Sequence, residues 1–132
     1  MYKISTNEWT WIRGSQNPTQ VGNYGTKGTA SPTNDPPGRD ETAAGWTDNG
    51  GNLWLFGGLR SIGGWLNDLW KYDVSTNNWA WIKGDSTIGA KGVYGTQGTA
   101  DAANKPGARL GAVSWKDASG NFWLFGGYGL SA

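Results

Sequence analysis

Apolar and aromatic side chains along this chain come in short runs, each closed by a polar or glycine-bearing stretch. Asn52-Leu53-Trp54-Leu55-Phe56 ends at Gly57-Gly58, and Asp68-Leu69-Trp70-Lys71-Tyr72-Asp73 turns through Val74-Ser75-Thr76-Asn77 into Asn78-Trp79-Ala80-Trp81-Ile82. Aromatic-rich runs of this length, bounded by turn formers, predict strands, and the last two predict an antiparallel hairpin. With the shorter run Ala43-Ala44-Gly45-Trp46 they predict one four-stranded sheet, over about 41–47, 52–57, 68–73 and 78–83. In Leu53-Trp54-Leu55-Phe56 alternate side chains face opposite ways and both sets are apolar, so the sheet is expected to be covered on both faces.

Parts of that sheet recur. Tyr2, Ser5-Thr6-Asn7, Trp9, Trp11-Ile12 and Gly14 return 70 residues later at Tyr72, Ser75-Thr76-Asn77, Trp79, Trp81-Ile82 and Gly84. Tyr24-Gly25-Thr26 with Gly28-Thr29-Ala30 returns at Tyr94-Gly95-Thr96 with Gly98-Thr99-Ala100. At a spacing of 69, Pro37-Gly38, Trp46, Asp48 and Gly51-Asn52 with Trp54-Leu55-Phe56-Gly57-Gly58 return at Pro106-Gly107, Trp115, Asp117 and Gly120-Asn121 with Trp123-Leu124-Phe125-Gly126-Gly127. The matches run through loops as well as strands, the signature of a repeat architecture. Residues 1–13 therefore correspond to the third and fourth strands of a preceding sheet, residues 41–83 form the whole sheet, and residues 110–127 correspond to the first two strands of a following one. Small residues in the first strand (Ala43-Ala44-Gly45, Ala112-Val113-Ser114) suit crowding near an axis, and Trp79 and Trp81 suit the outer part where sheets splay, the radial gradient of a propeller blade.

Composition agrees with an all-β reading. The 132 residues include 23 Gly and 10 Trp, which supply tight turns and large buried rings in place of aliphatic volume. Eleven basic and ten acidic residues are dispersed along the chain, so no electrostatic footprint for nucleic acid is expected. No apolar run approaches a membrane span. Met1-Tyr2-Lys3-Ile4-Ser5 holds no signal-peptide core, so an export signal is absent or removed; an extracellular or cell-surface setting is expected if the chain is natural.

The succession of strand, Gly57-Gly58, Asn67-Asp68-Leu69-Trp70-Lys71-Tyr72-Asp73 and Asn77-Asn78-Trp79 resembles the kelch repeat, the four-stranded blade of a class of β-propellers that includes the propeller of galactose oxidase. The resemblance covers nearly the whole chain and implies antiparallel blades, two to a chain. Pro106-Gly107-Ala108-Arg109-Leu110-Gly111-Ala112-Val113-Ser114-Trp115 is similar to the approach to the first strand in bacterial kelch-type arrays. The earlier copy, Pro37-Gly38-Arg39-Asp40-Glu41, departs from it by setting Asp40 in the place of Arg109. The repeat also exceeds the roughly 50 residues of kelch. Its surplus lies in the segments 14–40 and 84–109, expected to be ordered and packed on the sheets.

Propellers close with about four to eight blades. Two blades, one of them split between the ends, leave unpaired strand edges. Head-to-tail assembly is the expected remedy, with Tyr2, Ile4, Trp9 and Trp11 of one copy closing a mixed blade with Trp115, Trp123 and Phe125 of another. Three chains would make six blades and four would make eight, the latter preferred for Trp-rich strands and long loops. Both ends fall between second and third strands, so the chain is expected to be a deliberate unit, designed or excised from a longer array.

The sequence contains neither His nor Cys. That removes Ser-His-Asp and Cys-His nucleophile systems and His- or Cys-held zinc and copper, so the copper chemistry of galactose oxidase does not carry over. The adjacent pair Asp40 and Glu41 would point to opposite faces of a strand, a poor acid–base arrangement. Asp68 and Asp73 are expected to anchor turns. The expected reading is a non-enzymatic, cofactor-free, self-assembling scaffold. The alternative is a carbohydrate- or protein-binding propeller using Tyr24, Arg39, Arg60, Trp65, Tyr94 and Tyr128 on the connections that share one rim, where repetition around a ring adds avidity.

Overall fold

The computed structural model describes residues 1–131, apart from the side chain of Glu41; they form strands, turns and bends without a helix. The strands are β1 (Tyr2–Lys3), β2 (Glu8–Trp9), β3 (Ala30–Ser31), β4 (Arg39–Glu41), β5 (Ala44–Thr47), β6 (Leu53–Arg60), β7 (Gly64–Asp73), β8 (Asn78–Lys83), β9 (Arg109–Leu110), β10 (Val113–Lys116), β11 (Phe122–Phe125) and β12 (Tyr128–Gly129). Every pairing among them is antiparallel.

A central sheet runs β3-β8-β7-β6-β4, with β5 also paired to β6. Three smaller pairs flank it: β1-β2, β10-β11 and β9-β12. The hairpin turn between β7 and β8 is fixed by Asp73, whose carboxylate accepts from the Ser75 N–H (2.8 Å) and hydroxyl (2.6 Å), and by Asn77 at φ 56°. Asn tolerates that left-handed backbone better than other non-glycine residues. The β1-β2 turn repeats the device with Asn7 at φ 58°. In both hairpins a Tyr hydroxyl donates to the Asn side chain (Tyr2 to Asn7, Tyr72 to Asn77) and its ring tilts onto a Trp, at 5.2 Å for Trp9 and 5.0 Å for Trp79.

The core sits on and beside the central sheet, where Ala44, Phe56, Leu66, Trp70, Ala80 and Ala108 are buried. Alternation along β5 and β6 sends Trp46 and Trp54 toward the β10-β11 sheet. Phe122 stacks on Trp46 at 5.3 Å and meets Trp54 edge-on at 5.3 Å. The opposite face, carrying Leu53, Leu55, Tyr72 and Trp79, looks toward residues 9–14. Both faces of the sheet are thus used, as its unbroken apolar run requires.

The structure revises four sequence expectations. The second strand does not stop at Gly57: it crosses a bulge between Phe56 and Gly58 and pairs on to Arg60. The third strand begins at Gly64, which puts Asp68 inside a strand and buries it, so Asp68 anchors no turn. Only the shorter stretches Tyr2–Lys3 and Glu8–Trp9 of the first thirteen residues pair as strands. Finally, Arg39 and not Asp40 is the counterpart of Arg109: Arg39 pairs with Arg60 as Arg109 pairs with Gly129. The spacing of 70 therefore persists through Arg39, and the extra residue is absorbed at the register shift between Arg39 and Glu41.

The long segments are ordered against the sheet. Ala30 and Ser31 add a strand to the edge of β8, opposite Ala80 and Trp79. Gly28 donates to the Trp81 carbonyl at 2.7 Å, and the Lys27 ammonium stands 4.1 Å over the Trp81 ring. An edge that would otherwise template pairing is covered.

Candidate functional site

Two copies of one cluster stand out, one complete and one open. The complete copy is built on Asp68, which β7 carries into the interior with no exposed surface. A buried carboxylate must be paired, and three side chains pair it through four hydrogen bonds. Arg39, from β4, gives Nη1 to Oδ1 at 2.8 Å and Nη2 to Oδ2 at 2.7 Å. The Tyr24 hydroxyl donates to Oδ2 at 2.8 Å, as does the indole N–H of Trp70, two residues along the same strand face, at 2.8 Å. Arg39 Nη1 also donates to the Gly57 carbonyl. The two-pronged geometry is the one for which guanidinium and carboxylate are matched.

Aromatic rings roof this cluster. Tyr24 lies 5.0 Å from Trp70 and 5.1 Å from Trp81, the latter edge-on. Burial, with the Asp68 carboxylate beside it, pushes the Tyr24 hydroxyl well above the usual phenol range, so it stays a donor. Arg39 Nε is buried without a partner among the described residues. The two terminal nitrogens of the guanidinium hold Asp68 and the Gly57 carbonyl.

The open copy uses the same positions one repeat later. Arg109 Nη1 donates to the Gly126 carbonyl at 2.9 Å and Nη2 to the Tyr94 hydroxyl at 2.8 Å, the counterparts of Gly57 and Tyr24. Its Nε donates to the Gly107 carbonyl at 3.0 Å. Among the described residues no carboxylate pairs with Arg109. In the complete cluster that carboxylate, Asp68, belongs to residues 64–70, which occur once among the 132 residues. Tyr94, lacking the counterpart of Trp70 as a floor, is half exposed.

A second pair of copies anchors strand tips. Asp48 accepts the Trp54 indole N–H (3.0 Å) and the Asn52 amide (2.9 Å); Asp117 accepts those of Trp123 (2.9 Å) and Asn121 (2.8 Å). The indole bonds and then the Asn bonds hold both carboxyls below the usual range, Asp117 at about 2.

The six residues expected to bind ligands fall into separate groups. Tyr24 and Arg39 are in the complete cluster, with Arg60 across the strand pair from Arg39. Trp65 meets Tyr128 edge-on at 5.0 Å, and Tyr94 stands with Arg109. The residues expected to close a shared blade, Tyr2, Ile4, Trp9, Trp11, Trp115, Trp123 and Phe125, are all exposed, Trp9 at 80% and Phe125 at 72%. Sequence reasoning missed Asp68 as the hub. Asn34, Pro36 and Arg39 recurring as Asn104, Pro106 and Arg109 were the signal that would have found Arg39's role.

One open groove of about 660 Å³ runs between the N-terminal residues and the central sheet, lined by Arg13, Pro18, Pro37, Arg39, Leu55 and Trp79 among others. Among the described residues no three groups of His, Cys, Asp or Glu converge as metal ligands. Comparisons with protein-family models, with curated proteins and with solved structures gave no match.

Proposed function

We propose that the chain is a non-enzymatic, kelch-like β-module whose activity is to join end to end with further copies of itself and close into a ring of three or four chains. The observation that carries the reading is that one internal interface has both its halves exposed again at opposite ends. Inside the chain, Trp46 and Trp54 on one sheet hold Phe122 of the next. At the C-terminal end their counterparts Trp115 and Trp123 face outward; on the central sheet the counterpart of Phe122, Leu53, is exposed and lines a separate open groove with Trp9, Trp11 and Tyr72. Set against each other, these surfaces repeat the internal packing and bury rings that otherwise meet water.

The edges match in the same way. Ala30 pairs with Ala80 on β8, so Ala100 is positioned to pair with Thr10 of a neighbour. The sequence has no Cys, which makes a cross-link test clean. A chain carrying Thr10→Cys and Ala100→Cys should form disulfide-linked ladders or rings in non-reducing gels, and each single variant only dimers through like pairs or nothing. Exclusive monomer from the double variant would refute the joint.

A second reading, sugar or protein binding on the rim, draws on Tyr128, which is 69% exposed and edge-on to Trp65. A glycan array at high protein concentration tests the sugar form, and absence of binding removes it.

A further inference from the structure

We infer that the outer edge of β11 and the Arg109–Tyr94 half-cluster form a slot for an extended peptide carrying Asp-x-Trp, of the kind Gly-Trp-Leu-Asn-Asp-Leu-Trp found here at residues 64–70. This deepens the end-joining reading and rests on its strand register.

The internal copy specifies the occupant position by position. On β6, Leu55 pairs with Trp70, Phe56 with Leu69 and Gly58 with Leu66. The counterparts of those β6 residues are Leu124, Phe125 and Gly127. β11 is paired only to β10, so its other edge holds unpaired backbone groups. A peptide adding a strand there gains ladder hydrogen bonds, while side-chain pockets set which sequence is accepted. The decisive pocket is polar. In the complete cluster Arg39, Tyr24 and Trp70 all converge on Asp68. In the open one Arg109 already holds the Gly126 carbonyl and the Tyr94 hydroxyl, in the places where Arg39 holds Gly57 and Tyr24 stands. What it lacks is the carboxylate and the indole, and an Asp-x-Trp strand supplies both.

Joining to another copy does not fill this slot. A neighbour's Tyr2 and Met1 would lie opposite Phe122 and Trp123, by the register that sets Tyr72 and Lys71 opposite Leu53 and Trp54. Leu124 to Gly127 and Arg109 lie outside that pairing, so the peptide and the neighbour's Met1 and Tyr2 do not compete.

The test uses the whole chain and a fluorescein-labelled peptide of residues 64–70, read by anisotropy. Saturable binding is expected, weakened by about tenfold or more when the peptide's Asp is replaced by Asn, since hydrogen bonds to charged groups are the stronger class. Arg109→Gln in the protein should weaken binding similarly, with circular dichroism confirming its fold; should that variant not fold, the peptide substitution decides alone. No binding, or equal affinity for the Asp and Asn peptides, overturns the slot. Sedimentation on the same samples separates the two readings. A chain that associates but refuses the peptide refutes only the slot. One that takes the peptide yet stays monomeric refutes only the joining.

Discussion

The indole N–H of Trp46 donates to the carbonyl of Trp115 at 3.0 Å, and these two residues are each other's counterparts in the repeat. Gly45 and Ser114 behave likewise, the Ser114 hydroxyl donating to the Gly45 carbonyl at 3.3 Å. A residue that bonds to its own copy shows that neighbouring sheets stack nearly in register, so whatever one sheet offers its neighbour is offered again at the end of the stack. The exposed aromatics at the two ends follow from that geometry.

The two arginine positions should respond differently to loss of charge. Arg39→Met leaves Asp68 buried and uncompensated, and should cost about 3–5 kcal/mol of folding stability. Arg109→Met removes three hydrogen bonds, two of them exposed, but leaves no buried charge behind, and should cost less, about 1–2 kcal/mol. Denaturant melts of both variants measure the difference; equal losses would refute the contrast.

Gly57 and Gly126 offer a second such pair. Both have left-handed backbones, φ 62° and 68°. A Cβ at Gly57 would lie 2.7 Å from the Arg109 carbonyl oxygen of the next sheet, whereas at Gly126 nothing lies within 4 Å. Gly126→Ala should cost only the backbone strain, about 1–2 kcal/mol. Gly57→Ala should cost more, because the sheets must also part. Thermal denaturation ranks them, and the reverse order would contradict the packing described.

Acid should loosen the C-terminal sheet through Asp117. Its folded pKa, about 2, is depressed below the ordinary 3.8, chiefly by the Trp123 indole. The stabilisation is therefore full above pH 3.8 and is lost as pH falls through 2. The stability gap between the wild type and Asp117→Asn should narrow across that window in urea melts; a gap that stays constant would show that the carboxylate is not held as described.

Strands β5 to β8, four of the six in the central sheet, were legible because Leu53-Trp54-Leu55-Phe56 and Asn78-Trp79-Ala80-Trp81 carry strand-forming side chains between clear turn formers. The continuation past Gly57-Gly58 was not, because glycines that look like a stop serve here as a bulge that the pairing crosses. Asp68 was misread for a related reason. A carboxylate near a strand end looks like a turn anchor, and its true partners, Tyr24 and Arg39, lie 44 and 29 residues away, beyond any local pattern. The open cluster at Arg109 became visible only when the complete one was seen.

If the joint forms, Trp11 belongs to it rather than to the fold. Exposed as it is in the single chain, Trp11→Ala should change that chain's stability by no more than about 0.5 kcal/mol. Association should weaken far more, by about 2 kcal/mol or beyond, as expected for a Trp central to an interface. Comparing thermal melts of dilute protein with sedimentation equilibrium separates the two effects. A large loss of stability with unchanged association would contradict the assignment.

Native mass spectrometry tests end-to-end joining most directly. A closed ring predicts a dominant species at three or four times the 14.1 kDa chain mass, persisting across a concentration series and split by Trp11→Ala. A single folded 14.1 kDa species at every concentration would contradict it.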